Sequence, residues 1–458
     1  MPGLLPRSRP WDPNATARIG RFGAWRNNDY YGEANPQPHP ILMKFICQLL
    51  AGLLVSTLVA QAQVSRTLDE GLLSKVRSEA ARNHPAAAAG KRRAEAAGHD
   101  VMAVRLWEDP MVGLGLMAAQ RSMRADQGDA IIGVEQELPK PGMYAAQRRK
   151  AEALQRAESE NSRTATLAVG AEAARAVIEL ALADESITLQ QAQITWLTAM
   201  VENARQMAAN PMGSSSDALR METELAKENQ MLTAARRSRD GYAQKLNLVL
   251  GRPLESQWAP LLLPPVPPPV PVTKAEVARI PYVNPKVLAM REMAGAANAE
   301  TRVADRDRLP AVSVGVDANL YSGNGDLRST TFGLKLTLPW FNDPSYQAKI
   351  DAARGREAAA GQDLAAMNRE IATRVVTAAT EAANAAAQAR AYSGEINEKA
   401  LQAKQTIEAA WISSKAPLTD LLDSSRTLFA IKLEQRRLTA MQLAALEELR
   451  TLVPNRHD

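Results

Sequence analysis

Apolar and polar positions along the chain change period twice, in the same order each time. Phe332–Leu338 (FGLKLTL) alternates apolar and polar residues, the period of a strand with one face in an apolar medium. The full segment Thr330–Leu338 is predicted to be a strand. Weaker alternation predicts strands at Val112–Ala118, Ala130–Leu138 and Val312–Tyr321. The loops between them, QRSMRADQGD and SGNGDLRS, carry the Gly, Asp, Ser and Arg of solvent-facing turns. Strands of seven to ten residues suit a tilted bilayer crossing, which needs about 9–11. Each strand pair precedes a long stretch without proline, from Pro141 to Pro211 and from Pro344 to Pro417, dense in Ala, Glu, Gln, Arg and Leu. Helices over 145–209 and 347–413 would be about 98 and 100 Å long. Rods of that length pack side by side rather than inside a globular core. Shorter helices predicted at 85–108 with 217–250, and at 285–308 with 420–452, nearly match each rod when laid end to end.

This order reflects an internal duplication, which must be recognised before a fold is assigned. Pro85, Pro110, Gly115, Gly133 and Pro139 recur 200 positions later as Pro285, Pro310, Gly315, Gly333 and Pro339. The intervening patterns also agree: MVGLGLMA with AVSVGVDA, and IIGVEQELP with TFGLKLTLP. Beyond Pro339 the offset grows slightly, so that Tyr144 matches Tyr346 and Asp217 matches Asp420. The expected organisation is a first repeat over 63–255, a Pro-rich connector over 256–275 and a second repeat over 276–458. APLLLPPVPPPVPV reads as a stiff extended linker between them.

Residues 43–62, MKFICQLLAGLLVSTLVAQA, have the form of a secretory signal peptide, with a lysine, a short apolar run and a small-x-small cleavage pattern. Residues 1–42 then read as an over-extended gene start, and Cys47, inside the apolar run, is poorly placed for lipid attachment. That single Cys excludes a disulfide framework and a multi-Cys metal site. His39, His84, His99 and His457 have no ligand or triad spacing. Beyond residue 62 there are 49 Lys+Arg against 47 Asp+Glu, a balance that gives no support to a nucleic-acid partner. No nucleophile–base pair or phosphate loop is visible. The reading is therefore a non-enzyme without a cofactor or bound metal. The many Met residues of the first half lack regular spacing, so core filling is preferred to soft-metal binding. Trp107 and Trp340 flank strands and suit either a membrane interface or packing at the helix-to-strand joint.

Four strands cannot close a membrane barrel, and an open edge in lipid leaves backbone groups unpaired, so the chain must oligomerise if its strands enter a membrane. The duplicated helix–strand–strand–long helix–helix order, the strand-ending Pro139 and Pro339, and the segments NPMGSSSDAL and SSKAPLTDLLDSSRTL resemble the TolC-like outer-membrane efflux channels. The likeness covers 67–452. GVEQELPKPGMYAAQRRKAEA is most similar to the branch serving metal-cation exporters of the resistance–nodulation–division type. The resemblance implies a mainly α fold with a small β part. It implies a homotrimer whose 12-stranded barrel in outer-membrane lipid continues into a periplasmic α-helical barrel. It also implies a passive exit duct, partnered by a periplasmic adaptor and an inner-membrane pump that exports metal cations or drugs. The alternatives are the duct of an ABC-driven type I secretion system or, from another class, a periplasmic coiled-coil adaptor.

Residue by residue, the resemblance implies that Asp420 and Asp423, three apart on one helix face, contribute to an acidic ring at the periplasmic constriction. A helix N-cap and a first-turn acid explain the same two residues without a ring. It implies adaptor docking at the hairpin tips, Gly213, Ser214, Ser215 and Asp217 in the first and Ser414, Lys415 and Pro417 in the second. Turn chemistry alone also accounts for these residue types. Pro139 and Pro339 mark the strand-to-helix bends. The second tip departs from the family in having no Gly.

Overall fold

The computed structural model describes residues 66–117, 129–209, 215–268, 273–321 and 325–454. The expected gene-start extension and signal peptide lie outside these residues.

Each repeat begins with two helices broken at an X-Pro step: α1 (Glu70–Asn83) with α2 (Pro85–Ala103), and α5 (Lys274–Val283) with α6 (Pro285–Asp307). Helices α1 and α5 were not anticipated, and α2 stops five residues short of the expected end at 108. Proline at the first helical position needs no N–H partner, and the residue before it supplies the cap. His84 Nδ1 accepts from the Ala86 N–H at 3.1 Å, and Asn284 Oδ1 from those of Lys286 and Val287 at 3.0 and 3.2 Å. The duplication reaches the far end of each repeat. Asn83 Nδ2 donates to the Leu250 carbonyl at 3.0 Å and Asn284 Nδ2 to that of Leu452 at 2.9 Å, so each break fastens the last helix of its own repeat.

The strands follow. A two-residue β1 (Arg66–Thr67) precedes α1; β2 (Met111–Met117) and β3 (Asp129–Leu138) belong to the first repeat, β5 (Val312–Tyr321) and β6 (Leu327–Leu336) to the second. The last begins three residues earlier and ends two earlier than expected. The four long strands form one antiparallel sheet, ordered β2-β3-β5-β6, with β2 and β6 at its edges.

The rods are unequal. Helix α3 (Met143–Ala208) runs unbroken for 66 residues and returns through α4 (Ser215–Leu250). The second rod, expected to be continuous over 347–413, is broken: α7 (Asp343–Ala391) passes through a wide π-helical turn at Tyr392–Ile396 into α8 (Asn397–Ile412). Gly394 leaves helical geometry there, with φ −94° and ψ −117°. Glycine has the largest backbone freedom to lose and ranks just above proline as a helix former. Helix α9 (Leu418–Leu452) completes the repeat.

The connector does not hang free. Leu261–Leu262, strand β4, pairs in parallel with β1. Two adjacent buried carboxylates of α3 clasp it: Asp184 accepts from the Leu261 N–H at 2.9 Å and Glu185 from the Leu263 N–H at 3.1 Å. Arg239 bridges Asp184 and the Trp258 carbonyl, both at 2.8 Å. Beside this clasp lies the largest core, in which Leu68, Val76, Val177, Leu180, Leu246 and Leu250 are almost fully buried. Such interdigitated burial supplies about 25 cal/mol per Å² of apolar area.

Candidate channel wall and periplasmic tip

Side chains alternate across a strand, so the pairing register sorts the sheet into two faces. Val112, Val134, Val316 and Phe332 stand in one cross-strand row, and Leu114, Ile132, Ala318 and Thr330 in another on the same side. Val314 with Leu334 and Val312 with Leu336 continue this face. It is apolar and bare: Leu114 is 80% exposed, Leu116 87% and Phe332 80%. Rows on the opposite face hold Gly113, Gly133, Asp317 and Thr331, then Gly115, Ile131, Asn319 and Ser329. Here Ser313 donates to Glu135 at 2.7 Å, and Glu135 pairs with Lys335, its own counterpart 200 positions on. A Cβ on Gly133 would lie 2.1 Å from Asp317 Oδ1, so the missing side chain makes room for that carboxylate. One face suits hydrocarbon and the other suits water. Among the described residues no helix is long and apolar enough to cross a membrane.

At the strand bases Pro139 directly follows β3 and leads to Gly142, whose left-handed φ of 78° starts α3. Pro339 opens a short 3-10 turn, Pro339–Asn342, that leads into α7. Trp107 and Trp340 both stand here and are about half exposed. Core filling holds for Met200 and Met221 but not for Met102, Met111 or Met117, which are exposed.

At the other end the two hairpins meet. Leu197, Met200 and Val201 of α3, Ala218 and Met221 of α4, Trp411 of α8, and Leu418 and Leu421 of α9 form one buried cluster. The sequence-predicted tips are thus brought side by side. Ser215 starts α4, with Asp217 in its first turn, whereas Gly213 and Ser214 lie outside the described residues. In the second tip Ser414 takes a left-handed φ of 57°, and the Lys415 N–H donates to the Ala410 carbonyl at 2.7 Å, closing α8 without a glycine. Exposed Pro417 is the N-cap of α9 and makes no side-chain cap bond. Asp420 is therefore not the N-cap; it is a first-turn acid, placed where the helix dipole favours negative charge. Asp420 and Asp423 share the exposed face of α9, opposite buried Leu421, Ser425 and Leu428.

The polar links between the hairpins were not anticipated. Arg426 contacts Asp423 at 3.4 Å and Glu224 of α4 at 2.9 Å. Burial alone would raise the Glu224 carboxyl, but hydrogen bonds and charge from Arg426 and Lys227 hold it below the usual range. Gln193 Nε2 donates to Ser425 Oγ at 2.8 Å, and Trp196 Nε1 to Glu408 at 3.0 Å. Lys404 lies 4.0 Å over the Trp196 ring. Burial lowers its ammonium pKa, with Glu408 opposing and Lys432 reinforcing that shift. The i, i+3 spacing of Asp423 and Arg426 was readable in the sequence; their cross-hairpin partners were not. No group of His, Cys, Asp and Glu among the described residues is arranged to hold a metal ion.

Residues 283–454 match the family described as outer membrane efflux protein. No curated protein sequence matches the chain. Among solved structures, the outer-membrane channel OprN aligns with a TM-score of 0.74 at 16% identity, covering 84% of this chain and 90% of that one. CusC aligns with a TM-score of 0.74 at 14% identity, covering 85% and 93%. The outer membrane protein VceC from Vibrio cholerae aligns with a TM-score of 0.70 at 16% identity, covering 84% and 96%. The family match covers the second repeat, and the fold shared along most of the chain is that of these solved outer-membrane proteins.

Proposed function

We propose that three copies close their sheets edge to edge into one 12-stranded barrel, forming the outer-membrane exit duct of a tripartite efflux system. The observation that carries this reading is the sheet itself: an exposed apolar face, a polar reverse and two unpaired edges, β2 and β6. Such edges are not tolerated in lipid. A neighbour's β6 beside β2 continues the antiparallel order, because β2 and β6 run in opposite directions. The rods then project into the periplasm, and the paired tips face an adaptor seated on an inner-membrane pump of the resistance–nodulation–division type. Exposed Ser414, Lys415 and Pro417 and the start of α4 supply that docking surface. Metal cations or drugs are the cargo class, and an ABC-driven pump is the alternative engine.

Asp420 and Asp423 would narrow the periplasmic end as a ring of six carboxylates, a cation-binding arrangement. Arg426 beside Asp423 offsets part of that charge. In planar bilayers the wild type should show small, cation-selective currents blocked by divalent ions. Asp420→Ala with Asp423→Ala should raise conductance severalfold and weaken the block. Unchanged conductance would remove the gate. A detergent-solubilised monomer without channel activity would remove the trimeric duct. Co-purification of the native complex would identify the pump.

A further inference from the structure

The two sides of α6 differ just below the strands. On one side every base has an acid: Glu300 pairs with Lys150 at 3.2 Å and Arg356 at 2.9 Å, and Asp307 with Lys140 and Lys349, both at 3.3 Å. The other side borders a cavity of about 490 Å³ lined by Arg149, Arg302, Arg306 and Arg354, with Asp305 as its only acid. Asp305 is taken by Arg308 at 3.6 Å, and Arg354 by Asp351 at 3.3 Å. Among the described residues Arg149, Arg302 and Arg306 have no carboxylate within ion-pair distance. Three guanidinium groups without a direct ion pair therefore line one hollow, with Glu357, held by Thr301, acting on Arg302 only at longer range. It is particular to the second repeat, since the counterparts of Arg302 and Arg306 are Met102 and Leu106.

The depth of the hollow indicates what fills it. Gly142, four residues past the end of β3, borders it, and the Arg306 Nε would lie 3.4 Å from a Cβ built there. Arg149 stands about 10 Å further into α3. Arg306 precedes β5 by six residues, and the exposed apolar face ends nearby at Leu138 and Leu336, with Trp340 and Phe341 exposed beyond it. The strand-side end of the hollow, at Gly142 and Arg306, thus lies at the depth of a phospholipid headgroup layer, the outer 5–8 Å or so on each side of a bilayer's hydrocarbon core, with Arg149 just beneath it. A phosphate diester offers the two acceptor oxygens that a guanidinium binds bidentately.

We propose that Arg149, Arg302 and Arg306 form a binding site for the phosphate of an anionic phospholipid in the helix-side leaflet. The site would anchor the barrel at its junction with the rods, and the assignment rests on the reading of the sheet as a membrane wall. The test uses the full protein in nanodiscs of phosphatidylcholine, alone or mixed with phosphatidylglycerol, with retained lipid read by native mass spectrometry. Wild type should retain phosphatidylglycerol preferentially. Arg149→Gln, Arg302→Gln and Arg306→Gln should each lower that preference by about fivefold, the ratio implied by roughly 1 kcal/mol per arginine near an anionic surface. Arg356→Gln, at similar depth on the ion-paired side, should leave the preference in place. Equal loss in that control, or an unchanged preference in the triple variant, would overturn the site. Inorganic phosphate stabilising the detergent-solubilised wild type as strongly as phosphatidylglycerol would overturn the lipid assignment. Conductance in pure phosphatidylcholine tests the membrane wall separately, because insertion there needs no anionic lipid.

Discussion

The two rods hold equivalent places in the repeated element order and differ in what they carry at mid-length. Helix α3 holds Asp184 and Glu185, buried and bonded to the connector. In the second rod, at the 202-residue offset set by Tyr144 and Tyr346, stand Ala386 and Ala387. A few residues further on, α3 continues while the second rod opens at Gly394. The connector lies at both places. Past its clasp on α3 it runs to Pro267, whose carbonyl accepts from Arg390 at 3.2 Å and Gln442 at 2.9 Å, just before the break. One rod is a continuous post that grips the connector; the other has a joint beside it.

Removing the grip should have the largest effect. Asp184→Ala leaves Arg239 without its buried partner and the Leu261 N–H without an acceptor. Breaking one side of a buried pair costs about 3–5 kcal/mol. A marked fall in the thermal midpoint of the detergent-solubilised protein is expected. Asp184→Asn retains an acceptor for the N–H and should lose less. If Asp184→Ala melts with the wild type, the first rod is not the post described here.

The joint is tested by Gly394→Ala. Alanine is favoured over glycine inside a helix by about 1 kcal/mol, so the variant should draw the second rod toward the continuous form of the first. Amide exchange over 392–396 should slow, and distances between spin labels placed above and below the turn should narrow to one population. An unaltered exchange pattern would mean that packing against α9, rather than glycine, opens the helix.

The sequence revealed much of this architecture and little of its asymmetry. The Pro and Gly positions at fixed offset located the strands, bends and repeats because those residues restrict or free the backbone locally. The absence of proline gave rod length, yet Gly394 went unweighted, since a glycine in a helical pattern is usually tolerated. Helices α1 and α5 lie ahead of the Pro85 and Pro285 markers, although the helical spacing of Leu72, Leu73, Val76 and Ala80 made the first of them legible. At the tip, Asp420 and Asp423 were legible as an i, i+3 pair. Their link to Glu224 through Arg426 was not, because it joins residues 202 positions apart. The faces of the sheet became clear only with register, since glycine and single polar residues blur the alternation of β2, β3 and β5.

That link between hairpins yields the smallest effect and the most direct test of whether the two rods act independently at their tips. Glu224 has its folded pKa below its ordinary value of 4.5. Its pairing with Arg426 therefore stabilises the fold fully above about pH 4.5, and this contribution fades as pH falls through the lower folded value. Arg426 is half exposed, so solvent limits the pair to about 0.2–1 kcal/mol. A double-mutant cycle with Glu224→Gln and Arg426→Gln, read from thermal midpoints at stepped pH, should give a small positive coupling at neutral pH that shrinks in the acid range. A coupling constant with pH would assign the interaction to packing of the arginine stem over the tip cluster. A coupling that vanished at all pH values would leave Leu197, Met221, Trp411 and Leu421 as what joins the two hairpins.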